Sequence, residues 1–206
     1  MADRILLVCT ANECRSPYAG SVLHSILREG GVHAVALATA GTHVTPGLPM
    51  CEEAAERLPD LETNGAHRAR PVEPEDIESA GLILVAERHH RATIVRMSPA
   101  ASTRTFTLLE AAALSAIAPP DGASISSSGS VEAFAARLHE TRGLAGAIEL
   151  DIADGHHGSP RQHRRTLDGI EVAATGIANA LLGREPAEPP RESPRPPWRT
   201  WLSRDG

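Results

Sequence analysis

Short apolar runs alternate with amphipathic stretches from residue 4 to about residue 183. Residues 4–9 are apolar almost throughout and end at a polar loop, the pattern of a parallel strand buried on both faces. Pro17 follows where a first helical turn accepts proline, and Ala19, Val22, Leu23, Ile26 and Leu27 recur at helical spacing until Gly30-Gly31. A second strand is expected over residues 33–39, leading into a turn at Gly41. Residues 50–58 read as a helix closed by Pro59, and residues 73–80 as another short one. The run Leu82-Ile83-Leu84-Val85-Ala86 is the clearest buried strand after the first. Ile94 lies on a further helix, residues 103–108 form a fourth strand and residues 109–114 a helix after it. Residues 118–130 are loop by composition, and residues 131–141 resume a helical pattern. Over residues 160–182, Leu167, Ile170, Ala174, Ile177 and Leu181 share one helix face. This alternation predicts a single α/β domain, a four-stranded parallel sheet with helices on both faces.

The pattern stops near Arg184. Pro186, Pro189, Pro190, Pro194, Pro196 and Pro197 crowd a segment of mixed charge, so residues 1–183 are read as the domain and 184–206 as a disordered or polyproline-like tail. Trp198 and Trp201, the chain's two tryptophans, fall in that tail, outside the expected core. At 206 residues one domain with a good-sized core is expected, and with 41% hydrophobic but only 2% aromatic residues that core must be aliphatic. All twenty basic residues are arginine, which reads as coding bias rather than a recognition surface. The net charge of −6 argues against a nucleic-acid partner. Three cysteines make no secreted-type disulfide framework, residues 1–9 are too short for a signal-peptide core, and no apolar run reaches membrane-spanning length. The expected setting is cytoplasmic and reducing, without membrane insertion, which suits a working thiol.

The chemistry lies in Val8-Cys9-Thr10-Ala11-Asn12-Glu13-Cys14-Arg15-Ser16-Pro17. A cysteine, five residues, an arginine and then a hydroxyl place a sulfur at the base of a loop able to hold a tetrahedral oxyanion. Thiols attack as thiolates, and loop amides with a helix N-terminus favour negative charge at Cys9. Arg15 adds a permanent charge on a planar fork that matches phosphate oxygens. Ser16 is placed to donate to the thiolate, and Asn12 to brace the loop where its backbone is strained. Thr10, Ala11, Glu13 and Cys14 complete the anion-holding loop. A bare Cys-x5-Arg also occurs around ordinary buried cysteines; the strand before it and the helix beyond it favour the functional reading. The reaction indicated is hydrolysis of a phosphate ester through a thiol-phosphate intermediate.

This loop resembles the phosphate-binding loop of the low-molecular-weight protein tyrosine phosphatases. The similarity continues through Ala38-Thr39-Ala40-Gly41-Thr42, Ala66-His67-Arg68-Ala69-Arg70 and Leu82-Ile83-Leu84-Val85. It returns at Asp151-Ile152-Ala153-Asp154, Gly158 and the final helix, covering roughly residues 4–183. The resemblance implies the fold of that family, Cys9 as nucleophile, Arg15 as clamp, and an aspartate before the last helix as general acid. Asp154 takes that place by its offset to Gly158. Asp151 is the competitor, with helix or loop capping as its other use. No cofactor and no metal is implied. The partner would be a phosphorylated protein, a tyrosine kinase among the candidates, or a small phosphate ester. Relatives that carry a second loop cysteine suggest a redox role for Cys14, a reversible disulfide with Cys9, with simple packing as the even alternative.

The departures are as informative. The family's aspartate-proline-aromatic is Asp154-Gly155-His156 here, so Gly155 is expected to loosen the acid loop, and His156 and His157 replace an aromatic wall. His43-Val44-Thr45-Pro46-Gly47 carries no aromatic for the opposite rim, Ala11 replaces a glycine, and Glu13 sets an acid beside an anion site. A phosphatase acting on phosphotyrosine therefore stands against a weakened phosphate-binding module or a small-molecule phosphatase. Arsenate reduction would need resolving cysteines near the third strand, and residues 80–100 hold none. The adjacent pairs His89-His90 and His156-His157 are expected to diverge and to lack spaced cysteines, so no metal site is read from them. His67 is expected to brace a loop, and Cys51 to be a buried helical residue.

Overall fold

A computed structural model of the chain describes residues 3–58, 66–117, 125, 130–144 and 150–184. Strand β1 (Arg4–Cys9) lies inside a four-stranded sheet, with β2 (Ala36–Gly41) on one side, then β3 (Leu82–Val85) and β4 (Thr105–Thr107) on the other. All pairings are parallel. The register sets Cys9 beside Gly41, Val8 beside Val85, and Val85 beside Thr107, so the carboxyl ends of all four strands finish along one edge. Ligands of open α/β sheets bind outside that edge.

Side chains alternate across β1 and divide the core in two. Ile5 and Leu7 pack with helices α1 (Arg15–Glu29), α5 (Leu108–Ile117), α6 (Val131–Thr141) and α7 (Pro160–Leu181). Leu6 and Val8 face the opposite layer, with Ile77 of α3 (Pro74–Ser79), Ile94 of α4 (Arg88–Met97) and Ala101 of the 3-10 turn Pro99–Arg104. Each of these fully buried aliphatic side chains contributes roughly 1.5–3 kcal/mol of transfer free energy. The expected stripe on α7 is buried in full, and His163, Thr166, Ala173 and Ala178 join it. Ser159 and Gln162 form a reciprocal cap at the start of that helix, the Gln162 amide donating to Ser159 Oγ at 3.3 Å and the Ser159 amide to Gln162 Oε1 at 2.8 Å.

The four-stranded parallel sheet and both helical layers match the sequence reading, while several boundaries move. β2 begins at Ala36 rather than at residue 33, because β1 offers it no partner before Arg4. The helix expected over residues 50–58 contracts to α2 (Glu52–Glu56), with Cys51 buried as its N-cap instead of inside it. Residues 103 and 104 belong to the 3-10 turn, since β3 begins pairing only at Thr105. α1 starts at Arg15, two residues before the proline. Residues 185–206, with Trp198 and Trp201, and most of 118–130 lie outside the described residues. Among the described residues, no helix is long and apolar enough to cross a membrane.

Candidate active site

Cys9 ends β1 and Arg15 begins α1, so residues 10–14 bridge a strand end to a helix start. That turn needs one left-handed residue, and Asn12 supplies it at φ 59°. Asparagine tolerates this region better than most side chains. Its fully buried amide then fastens the loop: Nδ2 donates to Ser16 Oγ at 2.9 Å, and Oδ1 accepts from the Arg70 amide at 3.1 Å. His67 Nε2 donates to the Asn12 carbonyl at 2.7 Å, bracing the loop as expected, and burial pushes this imidazole below its ordinary pKa. The inward-turned Asn12 amide donates to Cys9 Sγ at 3.3 Å, and Ser16 Oγ lies 3.1 Å from the same sulfur. α1 carries no side-chain cap and no acid in its first turn, which leaves its first amides for an anion. Ala11 and Glu13 are half-buried. Glu13 meets its neighbours through its carbonyl, which accepts from the Cys51 amide at 2.7 Å, and its carboxylate has no hydrogen bond or ion pair among the described residues.

Arg15 is the hub, with a side chain only 2% exposed. Nη1 donates to Glu87 Oε2 and to the Ile152 carbonyl, the latter at 3.1 Å. Nη2 donates to Thr10 Oγ1 at 3.1 Å and to Asp154 Oδ2 at 2.8 Å. Two carboxylates thus flank one buried guanidinium, and Asp154 remains 41% exposed. The Asp154 segment is stitched to the end of β3 by the Ile152 amide donating to the Ala86 carbonyl at 2.9 Å. Asp151 does a different job. Its carboxylate accepts from the Arg88 amide at 2.7 Å and pairs with the Arg88 guanidinium at 2.9 Å, capping α4. Burial acts against this carboxylate, yet the bonds from Arg88 hold it below the usual carboxylate range.

Glu87, and the bracing role of His90, escaped the sequence reading. His90 Nδ1 accepts from the Glu87 amide at 3.1 Å, which leaves Nε2 as the donor to Thr10 Oγ1 at 2.9 Å. Burial, helped by His89 and Arg15, pushes its pKa down to about 3, so the ring is a neutral strut. The available signal was positional: both residues follow directly on β3, whose end must lie beside Cys9 in a parallel sheet. Two expectations are corrected. The adjacent histidines do not diverge, since the rings of His89 and His90 sit 3.8 Å apart and those of His156 and His157 4.7 Å apart, each pair brought together by a helix turn or a tight loop. Nor does Gly155 loosen its loop. A Cβ there would meet Thr166 Oγ1 at 2.5 Å and the Gln162 carbonyl at 2.8 Å, so glycine is needed for close approach to α7.

Cys14 Sγ faces His163 Nε2 at 3.1 Å, and Cys51 Sγ lies 3.7 Å from the same nitrogen. The paired thiols split: interaction with Cys51, then burial, pushes Cys14 up, while Cys14 draws Cys51 down to about 6. Asn12 and Ser16 thus reach the Cys9 sulfur, and Thr10 and Asp154 meet on Arg15 at the other end of the same loop, whereas Asp151, His67 and Cys51 make neither set of contacts.

The model of the family described as low molecular weight phosphotyrosine protein phosphatase matches residues 4–118. Over 108 residues the chain is 34% identical to a protein-arginine-phosphatase of Geobacillus stearothermophilus, covering 52% of this chain and 70% of that protein. Over 188 residues it is 26% identical to a low molecular weight protein-tyrosine-phosphatase of Streptomyces coelicolor, covering 88% of this chain and 94% of that one. The structure of the YwlE arginine phosphatase from Geobacillus stearothermophilus superposes with a TM-score of 0.60 at 26% identity, over 87% of this chain and 92% of its own. With its sheet order, cysteine-arginine loop and match over more than half its length, the chain belongs to the low molecular weight phosphotyrosine protein phosphatase family, and it is a phosphatase.

Proposed function

We propose that the chain hydrolyses phosphate monoesters on protein side chains, phosphotyrosine foremost, with Cys9, Arg15 and Asp154 as the reacting set. The observation that carries this reading is the loop around Cys9, where an amide and a hydroxyl reach the sulfur while Arg15 stands buried at the loop's other end. A phosphate settling on the loop amides takes the Arg15 Nη2 bond from Asp154, freeing that carboxyl to face the leaving group. The Cys9 thiolate attacks phosphorus, the bond to the phenolic oxygen breaks, and the proton of Asp154 goes to that oxygen. Water then attacks the phosphocysteine, Asp154 takes its proton, and inorganic phosphate leaves as Ser16 donates to the returning thiolate. Thr10, braced by His90, holds Arg15 in plane. A reducing, cytoplasmic setting accompanies this reading, since a thiolate nucleophile works only while it stays reduced. The catalytic unit is residues 1–183.

One observation favours a second substrate. Glu13 is half-buried in the loop, its carboxylate has no hydrogen bond or ion pair among the described residues, and His43-Val44-Thr45-Pro46-Gly47 carries no aromatic to meet a phosphotyrosine ring. A phosphoarginine would bring a guanidinium there instead, which is what the relatives named arginine phosphatases act on. Release of p-nitrophenol from its phosphate at mildly acidic pH, abolished by Cys9→Ser, tests the enzyme. Turnover no greater than in that variant, with phosphate still bound, makes the chain a phosphate-binding module. The kcat/KM ratio on phosphotyrosine and phosphoarginine peptides then decides the substrate. Phosphoarginine is indicated if Glu13→Gln lowers that reaction and leaves phosphotyrosine unchanged.

A further inference from the structure

Beside the phosphate loop, four side chains distant in sequence come together. Cys14 closes the loop, Cys51 caps α2, His156 follows the candidate acid by two residues, and His163 lies in the first turn of α7. One donor atom from each lies within 4.8 Å of all the others. The two thiols and His163 are buried, and His156 is half-buried. A tetrahedral ion with sulfur near 2.3 Å and nitrogen near 2.0 Å sets its S···N separations at ~3.6 Å. The contacts of His163 Nε2 with Cys14 and Cys51, at 3.1 and 3.7 Å, bracket that spacing. Nδ1 of His163 points to the Glu53 carboxylate at 3.6 Å, the kind of carboxylate that orients a ligating imidazole from behind. His156 Nδ1 is buried with no hydrogen-bond partner among the described residues, an arrangement that folded proteins rarely leave unexplained.

We propose that Cys14, Cys51, His156 and His163 bind one tetrahedral divalent ion of the zinc class, and that this ion fastens the acid loop to the phosphate loop. Two thiolates with two imidazoles select such ions over magnesium or calcium, which take oxygen ligands. On binding, each cysteine forms a bond from sulfur to the ion and releases its thiol proton to solvent. Nothing is oxidised or reduced. Cys14 directly precedes Arg15, so the ion joins the backbone behind the clamp to the backbone behind Asp154. It also occupies the sulfur that would otherwise form a disulfide with Cys9, so that protection of the nucleophile would first require the ion to leave.

The test is a titration of the full-length, reduced, chelator-treated protein with Co²⁺ alone, followed by Zn²⁺. One equivalent of Co²⁺ should give the intense visible bands of a tetrahedral thiolate site, and one equivalent of Zn²⁺ should erase them. Cys51→Ser and His163→Gln should lose the bands. Glu53→Gln, on the exposed start of α2 where the fold is not at stake, should weaken binding on the order of 10-fold or more. Cys9→Ser should keep the full spectrum. Absent or weak octahedral bands in the folded wild type overturn the proposal. So do bands that survive Cys51→Ser and vanish in Cys9→Ser, which put the ion on the nucleophile. A Cys14–Cys51 disulfide in metal-free protein purified without reductant makes the cluster a redox pair instead. The spectrum reports ligation whether or not the protein turns over substrate, so this test and the phosphatase assay fail independently.

Discussion

Residues 9–16 and residues 150–158 meet on the guanidinium of Arg15, but through bonds of very different reach. Within the phosphate loop the fastening is short-range: Asn12 to Ser16, Asn12 to Cys9, Ser16 to Cys9, none spanning more than seven residues. The acid loop is held across the chain, Asp154 to Arg15 over 139 positions and Thr166 Oγ1 to the Ala153 carbonyl at 3.0 Å. The first is a cradle whose inner bonds lie within one stretch of sequence, fastened from outside by Arg70 and His67. The second is an arm whose candidate acid is 41% exposed and whose place depends on tertiary packing.

The sharpest break in that comparison is between the two acids of the arm. Asp154→Asn should lower kcat on an aryl phosphate by roughly 10²–10⁴-fold, the range for loss of a general acid, with phosphate affinity kept. Asp151→Asn should leave kcat within a few-fold and lower stability by about 0.5–2 kcal/mol through the lost α4 cap. Steady-state kinetics beside urea titration separate the two, and equal loss of kcat would cancel the assignment. Next in size is the cradle. Asn12→Ala leaves the Arg70 amide without its partner, removes one of the bonds to Ser16 and puts alanine at φ 59°, for roughly 2–5 kcal/mol of stability. Asn12→Gly should recover only the backbone part, and a glycine as stable as wild type would mean the side-chain bonds contribute nothing.

These two regions also differ in how far sequence alone exposes them. Strand, loop and helix at Cys9 are contiguous, and the chemistry demands a fixed spacing, so the candidate nucleophile, clamp and brace can all be proposed from one line of residues. The parallel sheet follows from its apolar runs for the same reason. Glu87, His90 and the Cys14–His163 contact span 72, 80 and 149 positions to their partners, and no spacing rule ties such residues together. Gly155 shows the limit most plainly. In sequence a glycine beside an acid implies freedom, whereas here it lets the loop press on α7 with no room for a methyl group. Gly155→Ala should therefore destabilise by about 1–3 kcal/mol and lower kcat with it, by displacing Asp154. A more stable variant, as glycine-to-alanine gives at an open site, would restore the flexible reading.

The smallest effect tests whether the cradle's outer support is neutral by design. His90 is fully buried, and its pKa falls from an ordinary 6.5 to about 3. Between those values the unfolded chain binds a proton that the folded chain refuses. Stability from this group is thus whole above pH 6.5 and declines as pH falls toward 3, with a slope of up to ~1.4 kcal/mol per pH unit. His90→Gln has nothing to titrate there. It should be less stable than wild type at pH 7, from the altered bond to Thr10, yet lose less on going to pH 4.5 in urea-midpoint measurements. Parallel declines in the two proteins would mean that His90 takes up its proton inside the fold. In that event the ring would be a cation facing Arg15 across Thr10, and the cradle would carry an extra charge for phosphate under the mildly acidic conditions in which the enzyme is assayed.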